Sequence, residues 1–396
     1  MKRFFLTATT LSLVLVASLG QAETPRIVNL KFSENPITLG ESFTISFDYE
    51  GTVERYFIEN TYETQEGVVK REVKDFAAKP EVRDTPRGAI QLKWKSENGT
   101  AKPYRILKVW VKDGNGRESN ALSGEVKVQK DALTEEVKIP MQLKSVFGTK
   151  SLHLSGTVYR PASGERFPLV VLNHGTPRDP EERKKVLQFR EQSRAFVKRG
   201  FVVVVPMRRG YGTSEGEYAE ASGKCDSADY DIVAREVIKD IQATVEFMRR
   251  QPYVDTNRKV LMAGVSVGGF SSLAYASAHP EDVAAVINFA GGKGSVEPYK
   301  VCSEESLIYT VGNFGKTIRA PTIWIYTEKD DFFPPKLSKR MFESYRKKGG
   351  EGRFLLLSSE HGHSFFVRGT KEWEPIIDEF LVGTHLAPQK TATLRP

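Results

Sequence analysis

Residues 261–278 read LMAGVSVGGFSSLAYASA, and the stretch changes character at its middle. Before Ser266 it is an apolar strand; after it comes a run of small and apolar residues suited to a helix. The junction, Gly264-Val265-Ser266-Val267-Gly268, is a G-x-S-x-G turn between strand and helix, the context in which that motif carries chemistry. The chain must reverse sharply there, and side chains at Gly264 or Gly268 would collide with neighbouring backbone. Such a turn holds the Ser266 hydroxyl clear of the sheet, at the positive end of the helix dipole. The Val267 N–H is then placed to donate to a developing oxyanion. A serine hydroxyl is a weak nucleophile, so a base and an orienting carboxylate are required elsewhere.

Outward from the turn, short apolar runs alternate with amphipathic segments. The runs are PLVVLNHG (168–175), FVVVVPM (201–207), KVLMAG (259–264), AAVINFAGG (284–292), PTIWIYTE (321–328) and RFLLL (353–357). The longest helical pattern is VAREVIKDIQATVEFMRR (233–250). Near-continuous β-branched strands between helices predict a parallel sheet covered on both faces. This α/β domain is expected over residues 138–384, followed by a flexible tail at 385–396. Upstream the period is two instead. ESFTISFDYEG (41–51) alternates Phe43, Ile45, Phe47 and Tyr49 with polar neighbours, and AIQLKW (89–94) and ILKVWVKDGNG (106–116) repeat the pattern. Strands of this kind between turn clusters predict a β-sandwich over 23–132. KDALTEEVKIP (130–140) reads as a polar linker. DGNG reads as a hairpin turn, not a calcium loop, because further acidic ligands are missing.

Downstream of Ser266, EKDDFFPP places Glu328, Asp330 and Asp331 just past a strand end. SSEHGHSFF places His361 and His363 after the last strand. Two-residue spacing lets both histidines face one side, so spacing alone does not choose between them. His361, His363 and Asp330 can be imagined as a metal set, but that would leave the serine turn unexplained, and no H-E-x-x-H helix exists. No metal and no cofactor are expected.

Together LNHGTP, RRGYGTSEG, GVSVGG, EKDDFFPP and GHSFF resemble the motifs of α/β-hydrolases of the dienelactone hydrolase-like group, over about residues 138–382. Prolyl oligopeptidase catalytic domains are more distantly similar. WVKDGNGRESN resembles the end of an immunoglobulin-like module, over about 100 residues. The first resemblance implies an α/β-hydrolase fold, a mostly parallel sheet covered by helices. It implies Asp330 as the orienting acid, with Asp331 as the alternative, and His363, which follows glycine, as the base. It maps the second oxyanion donor onto Thr176, after His174-Gly175, with His174 itself structural. Arg208, Arg209 and Tyr211 fall in a loop that shapes the cleft floor. With His174 and His361 they are candidate substrate contacts, although a structural ion pair is an equal reading for the two arginines. Dienelactone hydrolases carry cysteine at the elbow; serine here favours a general serine esterase.

The chain of 396 residues carries a formal net charge of +8, of which Lys2 and Arg3 supply two. Those two cations, the apolar run Phe4 to Leu19, and small residues at Gly20 and Ala22 read as a signal peptide over 1–22. An exported chain, periplasmic or secreted, with no membrane span after cleavage is expected. The remaining charge is spread among acids, so no nucleic-acid partner is expected. Asn98 in NGT reads as a turn. Cys225 and Cys302 are a candidate disulfide for an oxidising compartment, provided their Cα atoms lie within about 7 Å. Both fall on the strand-end rim, and a bond would pin a short cap across the cleft. Three functions follow: an esterase on small esters, a peptidase or amidase of prolyl oligopeptidase type, and a binding protein with a relic hydrolase domain. The partner expected in the first two is a small ester or amide; cell-envelope or carbohydrate contact is assigned to the sandwich.

Overall fold

The computed structural model describes residues 24–33, 35, 37–38, 42–64, 67–95, 104–129, 132–145, 148–162, 164–384 and 386. The readings of residues 1–22, of Asn98, and of the tail beyond Leu386 lie outside them. The chain divides into two compact units between residues 130 and 131.

The first unit is β apart from one short helix, Pro80–Arg83. Arg26–Phe32, Ser42–Glu50 and Arg87–Lys95 form a three-stranded sheet. The other sheet has the order Ile37–Thr38, Leu122–Gln129, Tyr104–Lys112, Arg55–Glu63, Val69–Ala77. Phe43, Ile45, Phe47 and Tyr49 are buried, and pair across the sheet with Ile90 and Trp94 among others. They share one core with Leu107, Val109 and Val111 of the other sheet, as alternation requires of two facing sheets. DGNG is a turn closed by its own aspartate. Asp113 accepts from the Asn115 and Arg117 amides at 2.9 and 2.8 Å and pairs with the Arg117 guanidinium at 2.7 Å.

The second unit is built on an eight-stranded sheet. In spatial order its strands are Gly352–Leu357, Thr322–Thr327, Val283–Phe289, Val260–Val265, Leu169–Asn173, Val202–Pro206, Gly148–Pro161 and Ala132–Ser145. The first six run parallel, and the last two form an antiparallel hairpin at one edge. The hairpin corrects the linker reading of 130–140 from residue 132 on; residues 130 and 131 lie outside the described residues. Ile139 and Met141 point inward and pair with Leu154 and Leu152, while Glu136 and Lys138 face out. An edge strand with one wet face carries enough charge to pass for a linker.

Alternate residues of the central strands feed two cores. Val171, Val202, Val204 and Met262 join helices Tyr230–Arg249 and Val267–Ala278. Val170, Leu172, Val203 and Leu261 join helices Arg190–Val197 and Thr370–Gly383. Helices therefore cover both faces, and chemistry is left to the loops beyond the carboxyl ends of the parallel strands. Among the described residues, no helix is long and apolar enough to cross a membrane.

Candidate active site

Four strand ends converge on the cleft. Val260–Val265 delivers Ser266, Leu169–Asn173 delivers Gly175 and Thr176, Thr322–Thr327 delivers Asp330, and Gly352–Leu357 delivers His363. Ser266 lies at φ 58°, ψ −125°, a conformation that L-residues rarely hold. What enforces it is close packing. A Cβ on Gly264 would stand 2.2 Å from the Gly268 carbonyl oxygen, and one on Gly268 would stand 2.0 Å from the Asn173 oxygen. The turn is further tied by Ser266 N donating to Phe289 O at 2.9 Å and Gly292 N donating to Ser266 O at 3.1 Å.

Asp330 is fully buried and accepts from the Phe332 and Phe333 amides at 2.8 and 3.0 Å. Those bonds fix its carboxylate, whose oxygens lie 3.0 and 3.1 Å from His363 Nδ1. Nδ1 is thereby the protonated nitrogen, and Nε2 is left as the acceptor. The His363 ring stacks on Phe332, centroids 4.0 Å apart and planes within 7°. Asp331 does something else: it pairs with Arg178 at 3.0 Å, and its backbone oxygen accepts from Tyr299 N. His361 also turns elsewhere. Its Nε2 lies 3.1 Å from Glu372 on the last helix, so the two histidines answer to different carboxylates. Among the described residues no group of three or more His, Cys, Asp or Glu side chains could hold a metal ion.

The segment leading to Thr176 is built on buried polar contacts. His174 is fully buried; its Nε2 accepts from Arg208 N at 3.2 Å and its Nδ1 donates to Gly175 O at 2.7 Å. Burial, reinforced by Arg208, pushes its pKa down to about 3, so the ring is neutral. Arg208 pairs with Glu220, which also accepts from Tyr211 OH at 2.8 Å and Thr176 Oγ1 at 3.0 Å. Burial alone would raise the Glu220 carboxyl, but Arg208 and then Lys293 outweigh it and hold it well below the usual carboxylate range. Arg209 pairs with Asp240 and Glu236. His174, Arg208 and Arg209, read as candidate substrate contacts, are thus corrected to internal supports, since all three are nearly or fully buried with partners inside the protein. His361 is corrected for a different reason: it is committed to Glu372. Tyr211 is 2% exposed and anchors Thr176 through its hydroxyl at 2.6 Å.

With the Thr176 side chain turned into that network, its backbone N–H is free. Among the described residues neither the Thr176 nor the Val267 amide makes a hydrogen bond. Gly175 passes close over Ser266: a Cβ there would lie 3.0 Å from Ser266 Cβ. Two cavities flank Ser266. One, of about 470 Å³, is lined by Arg178, Tyr218, Glu220, Lys293 and the cysteine pair. The other, of about 360 Å³, is lined by His363, Leu187, Phe189 and Val367. Thr176, Arg183 and Phe332 border both. Cys225 and Cys302 form a disulfide with Cα atoms 4.6 Å apart.

Arg178, Arg183, Tyr218, Lys293 and Phe332 were not anticipated from sequence. Their only signal is position: each lies within a few residues of a motif already quoted.

Residues 150–302 match the X-Pro dipeptidyl-peptidase (S15 family), a span that includes Ser266 and ends before Asp330 and His363. A search of curated proteins finds no match. Among solved structures, similar folds include a Klebsiella pneumoniae protein assigned as a dienelactone hydrolase, at 16% identity and TM-score 0.46, covering 64% of this chain and 98% of that one. An esterase of Pyrococcus furiosus has 16% identity and TM-score 0.44, covering 63% of this chain and 90% of that one. Acetyl xylan esterase 1 of a Thermoanaerobacterium species has 16% identity and TM-score 0.43, covering 73% and 86%. These likenesses are too distant to carry an argument about substrate. The mostly parallel sheet covered on both faces, with a sharp strained serine turn between one strand end and a helix, gives the second unit the α/β-hydrolase fold.

Proposed function

We propose that the chain is an exported serine hydrolase acting on carboxylic esters through Ser266, His363 and Asp330. The observation that carries this reading is His363, held from behind by the buried Asp330, lining the same cleft as a strained serine flanked by two unengaged amides. His363 Nε2 takes the Ser266 proton as Oγ bonds to the substrate carbonyl carbon. The Thr176 and Val267 amides hold the resulting oxyanion. Asp330 holds the imidazolium, which passes its proton to the departing alcohol oxygen, leaving the acyl group on Ser266. Water then loses a proton to His363, attacks the acyl carbon, and the serine leaves with that proton. Export rests on residues 1–22 alone.

A peptidase reading is favoured by the X-Pro dipeptidyl-peptidase match. Releasing a dipeptide from an amino terminus requires a carboxylate free to meet an ammonium. The acidic residue lining the larger cavity, Glu220, is 2% exposed and already engaged by Arg208, Tyr211 and Thr176. Glu182, the acidic residue lining the other cavity, is paired with Lys185. With both carboxylates engaged, esters are the first choice. The test is hydrolysis of p-nitrophenyl acetate against an Ala-Pro-p-nitroanilide. Ester turnover lost in Ser266→Ala supports the proposal. Faster anilide turnover selects the peptidase reading, and activity unchanged in Ser266→Ala sinks both.

A further inference from the structure

We infer that the 470 Å³ cavity beside Ser266 recognises an anionic group, a carboxylate in the simplest case, on the acyl part of the substrate. The inference rests on the ester-hydrolase reading above and names its substrate class. Among the described residues lining this cavity, Arg178, Arg183 and Lys293 are cationic and only Glu220 is anionic. Glu220 does not balance them, because its charge already answers Arg208 beneath it. Asp331, outside the lining, answers Arg178.

Two cations remain under-compensated. Lys293 is 7% exposed, yet among the described residues its ammonium has only the Tyr218 hydroxyl at 2.8 Å and the shared Glu220 at 3.6 Å as polar partners. The Arg183 guanidinium stacks 4.0 Å over the Tyr218 ring and makes no ion pair among the described residues. Tyr218 thus carries Arg183 on its ring and Lys293 at its hydroxyl. Holding a nearly buried cation with less than one carboxylate is costly. An anionic ligand that enters the cavity removes that cost and replaces the water it displaces with charge-assisted hydrogen bonds.

Polarity of the cleft assigns which end of the ester carries the anion. His363 must protonate the leaving oxygen, so the alcohol lies in the cavity that His363 lines with Leu187, Phe189 and Val367, where Glu182 and Lys185 neutralise each other and Arg183 is shared with the basic cavity. The acyl chain is left the basic cavity. The substrate class is therefore a monoester of a dicarboxylic acid. Water adds across the ester bond, releasing the alcohol, the dicarboxylate and one proton.

The test compares mono-p-nitrophenyl glutarate with p-nitrophenyl valerate on the full-length protein, as a ratio of kcat/KM values. The wild type is expected to favour the glutarate at least about tenfold at low salt, the preference shrinking as salt rises. Arg183→Gln, on the surface turn Pro180–Lys184, is expected to lower that ratio about tenfold, and Lys293→Met to lower it similarly. A wild-type ratio at or below one, or a ratio that moves in neither variant, overturns the inference. Failure of the ester reading looks different: neither ester is then turned over, and the inference falls with it.

Discussion

HGH at 361–363 separates two imidazoles by one glycine, and the glycine decides how they diverge. Gly362 has φ +51°, and a Cβ there would lie 2.8 Å from the Lys329 carbonyl oxygen. The histidine loop can therefore lie against the loop that carries Asp330, with His363 reaching that acid and His361 reaching Glu372. Sequence spacing could not show this, because a left-handed residue breaks the two-residue alternation on which the comparison of faces relied. His361→Ala is expected to keep kcat within about threefold and to cost under about 1 kcal/mol of stability, read by urea titration. His363→Ala is expected to lose at least about a thousandfold in kcat. The paired aspartates divide in the same way. Asp330→Asn, which still accepts from the Phe332 and Phe333 amides, should fold normally and lose about a thousandfold or more in kcat, while Asp331→Asn should not. His174 bears on pH. Its pKa of about 3 lies below the ordinary 6.5, so the unfolded chain binds the extra proton between those values. Its stabilisation is complete above about pH 6.5 and is lost as pH falls toward 3. Unfolding midpoints measured over that window should fall more steeply for wild type than for His174→Gln.

At the scale of elements, the elbow was legible because its requirements are local: an apolar strand, two glycines that cannot carry side chains, and a helix of small residues. Its strain is testable without activity. Ser266→Gly relieves the positive φ and Ser266→Ala does not, so the glycine variant should be the more stable of two inactive proteins by about 1 kcal/mol in urea titration. The edge strand Ala132–Ser145 was not legible as a strand, because charges on its wet face masked the alternation of Val137, Ile139 and Met141. The cysteine pairing was open for another reason: only the fold brings together residues 77 apart in sequence. Closing a loop of that length constrains the unfolded chain by up to about 4.5 kcal/mol. The bond also borders the basic cavity. Reduction should therefore lower the unfolding midpoint.

For the molecule as a whole, change of period was the decisive signal: two before residue 130, strand and helix alternation after it. What it could not give was the interior of the cleft. Glu220, Lys293, Tyr218 and Arg183 meet through loops from three parts of the chain, and none carries a motif of its own. The account stands on one claim, that Ser266 is the nucleophile of an acyl-transfer cycle. A fluorophosphonate that bonds covalently to activated serines tests it most directly, by intact mass and peptide mapping of the labelled protein. The account predicts a single adduct on the peptide containing Ser266, absent in Ser266→Ala and formed far more slowly in His363→Ala. Labelling at another residue, with ester hydrolysis intact in Ser266→Ala, would contradict it.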